Sequence, residues 1–464
     1  MAKRSGIFET LTHVLRHPPE AWMPARMLAL RALRPVEQFL HVEAAGGITL
    51  IVAAVVALVW ANSPWQHSYD VLWHTPFSIG LGDAVFTQDL HFWINEFAMT
   101  LFFLVIGLEV KREITEGTLS SARQAALPLA AALGGMVVPA AIYAALNLGG
   151  PALHGWGVPM ATDIAFAVGV LVIIGNRLPP GLRVLLLALA IVDDIGAILI
   201  IAVFYSSGLS ADGLWLVGLG LTIMWLYVRL GFRPGVKYLV PTVLVWAGMY
   251  QIGIHPTLAG VVVGLMAPVK PWYGRLGFLR VAREAINEFE YLAKEKGVPD
   301  EELVGPLRKL SFAAREAVSP VVRLVTSMHG IVSFVIVPLF ALANAGVHFS
   351  GVDFAEDGAW LIFLGVSGGL LVGKPLGVLG FCWLGAKLNL VDIPRDIGYR
   401  GLLVVGTVAG IGFTMAIFIA ELAFNTAGHL AIAKTAILGA SALAAVGAVI
   451  LGRVFYSGDE AVGR

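Results

Sequence analysis

The chain has 464 residues, 58% of them hydrophobic and 13% charged, with a mean hydropathy of +0.82. That composition lies far outside the soluble globular range and points to a membrane protein. A formal net charge of zero argues against a nucleic-acid partner, and a single cysteine, Cys382, excludes an internal disulfide or a thiolate metal cluster.

Residues 1–43 carry Arg, His or Pro in every apolar run, so they read as a cytoplasmic arm and not as a signal peptide. Arg26, Arg31 and Arg34 flank Leu28, Leu30 and Leu33 there, a pattern suited to a short helix on the membrane surface. From 44 to 455, apolar segments separated by polar or Gly/Pro-rich joints define a transmembrane domain of twelve candidate helices. They fall at 44–62, 91–110, 124–147, 155–175, 182–205, 212–229, 237–250, 255–268, 321–346, 359–384, 400–423 and 430–452. The seventh and eighth are too short to cross upright. Between the eighth and ninth lies 270–320, the one large soluble segment. Leu279, Ala282, Ile286, Phe289 and Ala293 recur there at helical spacing among Arg283, Glu284, Glu288, Glu290 and Lys294. This predicts an amphipathic helix, a turn at Gly297–Pro299 and a second helix, serving as a solvated flap or a regulatory contact. Residues 456–464 form a cytoplasmic tail.

The cations orient these segments. With the N-terminus in the cytoplasm, 29 of the 31 Lys and Arg fall in the N-terminal arm, the even-numbered loops with their flanking helix ends, and the C-terminal tail. The odd-numbered loops, including the stretch from Ser63 to Phe92, receive none. Lys374 and Lys434 are left inside spans. A miscounted span would invert the alternation beyond the error, so both termini are expected inside.

Asp193 and Asp194 sit at the midpoint of the fifth span, with about 11 apolar residues on either side. Carboxylates at membrane depth are expensive, and two neighbours titrate as a coupled pair, so the position reads as an ion or proton site. Asp163 lies in the middle of the fourth span, four residues after Pro159, where the helix should kink or unwind. In the eleventh span Gly410 and Gly412 offer either close packing or a break. Spans three to five and ten to twelve then read as equivalent triplets, each with an interrupted middle helix. That is the sign of an inverted-repeat transporter with two crossing broken helices and a site at the midplane. Asp163 would offset the positive helix ends, and Lys374, at mid-depth of the tenth span, would serve the negative ends or pair with Asp193. The cluster of Glu109, Lys111, Arg112 and Glu113 suits a membrane stop or a gating network equally. His255 and His329, near span ends, are either titrating groups or hydrogen-bonded structural ones. Asn344 reads as helix glue.

Seven segments together resemble the NhaA family of bacterial sodium/proton antiporters, collinearly over roughly residues 40–455. They are Phe103-Leu104-Val105-Ile106-Gly107-Leu108-Glu109-Val110-Lys111-Arg112-Glu113, Ala161-Thr162-Asp163-Ile164-Ala165-Phe166-Ala167 and Ile191-Val192-Asp193-Asp194-Ile195-Gly196-Ala197. The others are His255-Pro256-Thr257-Leu258-Ala259-Gly260, Ala343-Asn344-Ala345-Gly346-Val347, Gly373-Lys374-Pro375-Leu376-Gly377 and Gly410-Ile411-Gly412-Phe413-Thr414-Met415. The resemblance implies that Asp194 is the principal sodium and proton carrier, with Asp193 as its partner and Lys374 paired to Asp193. It also implies that Thr162 lies in the unwound segment, that Asp163 faces the break, and that Glu109 and Arg112 belong to a cytoplasmic pH-response network; His255 is grouped with them. Val325 stands where relatives carry an acid linked to pH sensing, and the 270–320 loop is longer than in short members.

The expected activity is alternating access, in which internal Na⁺ or Li⁺ competes with protons for the Asp193/Asp194 pair, with no cofactor and no enzymatic chemistry. The resemblance also implies electrogenic exchange and a place in the bacterial inner membrane, and a homodimer is compatible with the sequence. A sodium-coupled symporter of an organic anion is the alternative. A cation channel or a membrane hydrolase fits less well, for want of a wet acid-lined pore or a water-activating set.

Overall fold

The computed structural model describes residues 45–82, 84–175, 178–206, 210–231, 236–295 and 298–456; the predicted surface helix near Leu28 and the tail beyond Tyr456 lie outside them. Helices dominate. α1 (Ala45–Ala61) turns by 116° into the short α2 (Gln66–Trp73). Next comes an antiparallel hairpin, β1 (Pro76–Leu81) and β2 (Ala84–Asp89), paired from Pro76–Asp89 to Leu81–Ala84. Then follow α3 (Leu90–Glu116), α4 (Ala122–Leu146), a 3-10 helix (Pro151–Met160) leading into α5 (Ile164–Ile174), α6 (Pro180–Phe204), α7 (Leu214–Arg229), α8 (Leu239–Ile252) and α9 (Leu258–Met266). α10 (Gly274–Lys294) and α11 (Asp300–Glu316) form a polar helical hairpin. The chain closes with α12 (Pro320–Asn344), α13 (Ala359–Lys387), α14 (Gly398–Ala409), α15 (Phe413–Ala423) and α16 (Ala427–Phe455).

Among the described residues six helices (α3, α4, α6, α12, α13 and α16) are long and apolar enough to cross a membrane. The count reaches nine if each bent pair is one span: α1 with α2, the 3-10 helix with α5 at 45°, and α14 with α15 at 50°. α7 and α8 are apolar but only 16 and 14 residues long.

Packing follows the rule for helices dissolved in lipid, where apolar side chains gain nothing by hiding and small residues let backbones approach. Along α16, Ala433, Ala436, Ala440, Ala444 and Ala448 face inward, while Leu443, Val446, Ile450 and Val454 are exposed. A methyl group on Gly107 of α3 would lie 3.0 Å from the Cα of Val261, and one on Gly260 of α9 would lie 2.8 Å from the amide of Leu104. Where α4 crosses α13, Gly134 and Gly377 face one another so closely that a methyl on either would overlap the other's carbonyl.

The 45° and 50° bends have local causes. Gly155, Gly157 and Pro159 keep the 3-10 segment from winding as an α-helix, and the chain is extended at Ala161 and Asp163. The second bend occupies Gly410-Ile411-Gly412, between α14 and α15. The two breaks touch: the Asp163 N–H donates to the Ile411 carbonyl at 2.7 Å.

Candidate functional site

Asp163 is the N-cap of α5, and its Oδ1 accepts the Phe166 N–H at 3.0 Å. Its Oδ2 accepts from α15 the N–H of Thr414, at 3.1 Å, and the Thr414 hydroxyl. One carboxylate thus caps two helix starts, each carrying about half a positive charge. Phe413, the first residue of α15 and the one before Thr414, adopts a φ of +22°, with its N–H held by Ser441 Oγ at 3.1 Å.

Thr162 lies in the extended link beside Asp163. Its Oγ1 is 2.6 Å from Asp193 Oδ2 and 3.0 Å from the Ala409 carbonyl, and it accepts from Lys374 Nζ at 2.8 Å. Lys374 is fully buried at 0% exposure and forms an ion pair with Asp193 Oδ2. Room for its long stem comes from α4, where a methyl group on Gly135 would sit 3.6 Å from Lys374 Cδ. The structure therefore brings Thr162, Asp193 and Lys374 into one polar knot.

Asp193 Oδ1 is buried and has no hydrogen-bond partner among the described residues. Asp194, at 3% exposure, likewise forms no hydrogen bond or ion pair among them. Adjacent helical carboxylates point about 100° apart, so Asp194 stands beside the knot and outside it. Buried carboxylate oxygens left without protein donors are the chemistry a small hard cation or a proton satisfies.

Glu109, Arg112 and His255 are not part of this knot. Glu109 and Arg112 occupy the last two turns of α3, and among the described residues no ion pair joins them; Glu113 instead accepts the N–H and hydroxyl of Thr118, both at 2.6 Å. His255, grouped with them from the sequence, sits at the other end of α3, 3.6 Å from Glu96 Oε1 and with Nε2 3.1 Å from the Tyr205 carbonyl. It lines a cavity of about 270 Å³ together with His91, Asn95, Glu96, Phe418 and Glu421. Phe418 packs at that wall against Phe103 and Phe340, with ring centroids 5.4 and 6.1 Å away.

The sequence reading missed three polar contacts. Thr414 donates to Asp163, a role that its place in the Gly410–Met415 motif does not signal. Glu421 and Lys434 pair at 2.5 Å, accounting for the second lysine left inside a span; the available signal was an acid and a base, each in an apolar helix, on either side of a short turn. Asn95 and Asn344 exchange amide hydrogen bonds at 2.7 and 3.2 Å, giving Asn344 its expected role as helix glue a specific partner.

A multi-span helical membrane protein with a buried charge site at the contact of two helix breaks is the class these features define. The family model described as Na+/H+ antiporter 1 matches residues 37–451. The chain is 54% identical to Na(+)/H(+) antiporter NhaA 2 of Sorangium cellulosum strain So ce56, over 96% of this chain and 95% of that protein. It is 51% identical to Na(+)/H(+) antiporter NhaA 2 of Myxococcus xanthus strain DK1622, over 94% of this chain and 92% of the relative. It is 48% identical to Na(+)/H(+) antiporter NhaA of Cupriavidus necator strain H16, over 94% and 93%. The chain belongs to the Na+/H+ antiporter 1 family.

Proposed function

We propose that this chain exchanges Na⁺ for protons across the bacterial inner membrane, with Asp193 and Asp194 as the shared binding pair. The observation that carries the reading is the asymmetry of the two acids. Asp193 is tied to Lys374 and Thr162 through one oxygen, whereas its other oxygen and Asp194 remain available to a cation or a proton.

The mechanism is competition under alternating access. Na⁺ or Li⁺ entering from the cytoplasm displaces protons from the pair, the loaded site reopens outward, and returning protons expel the cation. Occupancy by either species neutralises buried acids, whereas an empty, charged site is costly to move through a low-dielectric interior, which enforces exchange over leak. If Lys374 exchanges its proton together with Asp193, more protons than cations move per cycle and transport is electrogenic. Glu109 and Arg112 at one end of α3, and His255 with Glu96 at the other, are the groups through which pH would act. An organic-anion symporter gains no support from the family or from the relatives.

The architecture proposed for this cycle has twelve crossings, with spans three to five and ten to twelve, each triplet interrupted in its middle helix, as inverted repeats. The six long helices, the three bent pairs and the short α7, α8 and α9 supply them; arm 1–43, loop 270–320 and tail 456–464 then lie in the cytoplasm. Each of the twelve predicted segments overlaps a helix or a bent pair, which supports the count.

The test is proton flux into proteoliposomes of the purified protein on imposing a Na⁺ or Li⁺ gradient. The parent should couple the two fluxes with no organic solute present, and Asp194→Asn should insert and fold but not exchange. Substantial exchange by folded Asp194→Asn would overturn the assignment.

A further inference from the structure

The polar hairpin of α10 and α11 has two unlike surfaces. Ala282 and Ala285 of α10 and Pro306 and Ala313 of α11 are buried. On the outside, Leu276, Leu279, Arg280 and Arg283 fall at positions i, i+3, i+4 and i+7, so they share a face of α10. Val304, Leu307, Arg308, Ser311 and Arg315 do the same on α11. The leucines are not tucked away: Leu276 is 82% exposed and Leu307 50%.

The charges are sorted along the hairpin. Lys309 is engaged by Glu284 at 3.9 Å and Glu288 at 3.5 Å, and Lys294 by Glu290 at 3.7 Å. Arg275, Arg280, Arg283, Arg308 and Arg315 form no side-chain ion pair among the described residues. All five belong to the half nearest α9 and α12, while Glu290, Glu295, Asp300, Glu301 and Glu302 gather at the tip. The base is pinned to the bundle. The Tyr273 N–H donates to the Glu316 carbonyl at 3.3 Å, and Arg323 of α12 donates to the Arg315 carbonyl at 2.5 Å and to Glu316 Oε1 at 3.4 Å.

Unpaired arginines interleaved with exposed leucines, held beside the ends of membrane-crossing helices, match a headgroup layer better than bulk water. We propose that the base of this hairpin docks on anionic phospholipids of the adjacent leaflet. The arginines meet the phosphates, Leu276, Leu279 and Leu307 seat at the acyl boundary, and the acidic tip is held off by like charge. A flap solvated on all sides would leave both the leucines and the arginines without partners.

Cys382 is buried, so a nitroxide can be placed selectively at L276C, L307C or, as a tip control, Y291C. The full-length protein is reconstituted in phosphatidylcholine, with or without phosphatidylglycerol, and collisions with oxygen and with a water-soluble nickel chelate are compared. With phosphatidylglycerol, labels at 276 and 307 should move from the nickel-accessible to the oxygen-accessible regime, reversibly with salt, and the label at 291 should stay aqueous. Each of Arg280→Gln, Arg283→Gln and Arg308→Gln should lower the docked-to-free ratio about fivefold. Equal accessibility in the two lipid mixtures, docking that survives the triple glutamine variant, or protection seen only in native membranes, which would point to a protein partner, each overturns the proposal. The lipid comparison uses no arginine variant, so a folding defect cannot decide it.

Discussion

Asp163 and Thr414, 251 positions apart, share a single carboxylate oxygen, Oδ2, which accepts both the amide and the hydroxyl of Thr414. With Oδ1 on the Phe166 amide, this acid joins the starts of α5 and α15. Thr414→Val keeps the shape and removes one bond to a buried charged group, so it should destabilise the protein by about 1–3 kcal/mol. Thr435→Val serves as control, since Thr435 bonds only its own helix, at the Ala431 carbonyl. Thermal unfolding in detergent decides: if the two variants unfold together, the hydroxyl does not hold the breaks.

Lys374 and Asp193 form the most deeply buried ion pair described, with side-chain exposures of 0% and 1%. Removing one partner strands the other, at about 3–5 kcal/mol, whereas neutralising both can be nearly harmless. Lys374→Ala should therefore unfold well below the parent, and Asp193→Asn with Lys374→Gln should recover most of the loss. The double variant should still exchange ions through Asp194 but move fewer charges per cycle, read as a smaller voltage response in proteoliposomes. A double variant weaker than both singles would remove the pair as a stabilising unit.

Much of this could be read from the residues, because lipid makes demands that leave marks in sequence. Apolar runs located the helices, and charges inside them located Asp163, Asp193, Asp194 and Lys374. What a sequence withholds is which helix faces which. Lys374 had two possible partners on paper, and only the packing of α13 on α4, which carries the lysine stem past Gly135, sets it on Asp193 of α6. Glu421 with Lys434 and Asn95 with Asn344 stayed hidden for the same reason, since burial of a polar group is visible locally and its partner is not. The hairpin of β1 and β2 leaves little mark in the sequence, because only two short strands form it, with Phe77, Ile79 and Val85 left exposed.

A glycine contact should transmit to the site. Gly377 lies one turn beyond Lys374 on α13, against the backbone of Gly134. Gly377→Ala should push α13 from α4, costing about 1–3 kcal/mol, and should weaken exchange by moving Lys374 away from Thr162 and Asp193. Gly380→Ala, on the same helix with nothing within 4 Å of the added methyl, should leave exchange unchanged. Equal effects in an exchange assay would mean the close crossing does not position the lysine.

Orientation can be checked directly. Epitopes inserted near residue 285 and at the C-terminus should be reached only from the cytoplasmic face, and one near Asp70 only from outside. Labelling of position 285 in intact cells would break the twelve-crossing arrangement.

Immediately before Lys374, residues Gly369–Gly373 are wound as a π-helix, which holds more residues per turn than the α-helix around it. The direction of the lysine thus depends on residue count as much as on residue identity. Inserting one residue between Val372 and Gly373, where the wide turn already absorbs an extra one, would swing every later side chain of α13 by about 100° around its axis. The lysine would keep its charge and its neighbours in sequence yet point away from Asp193. A frame-preserving gain of one codon would therefore impair this carrier as much as loss of the lysine itself.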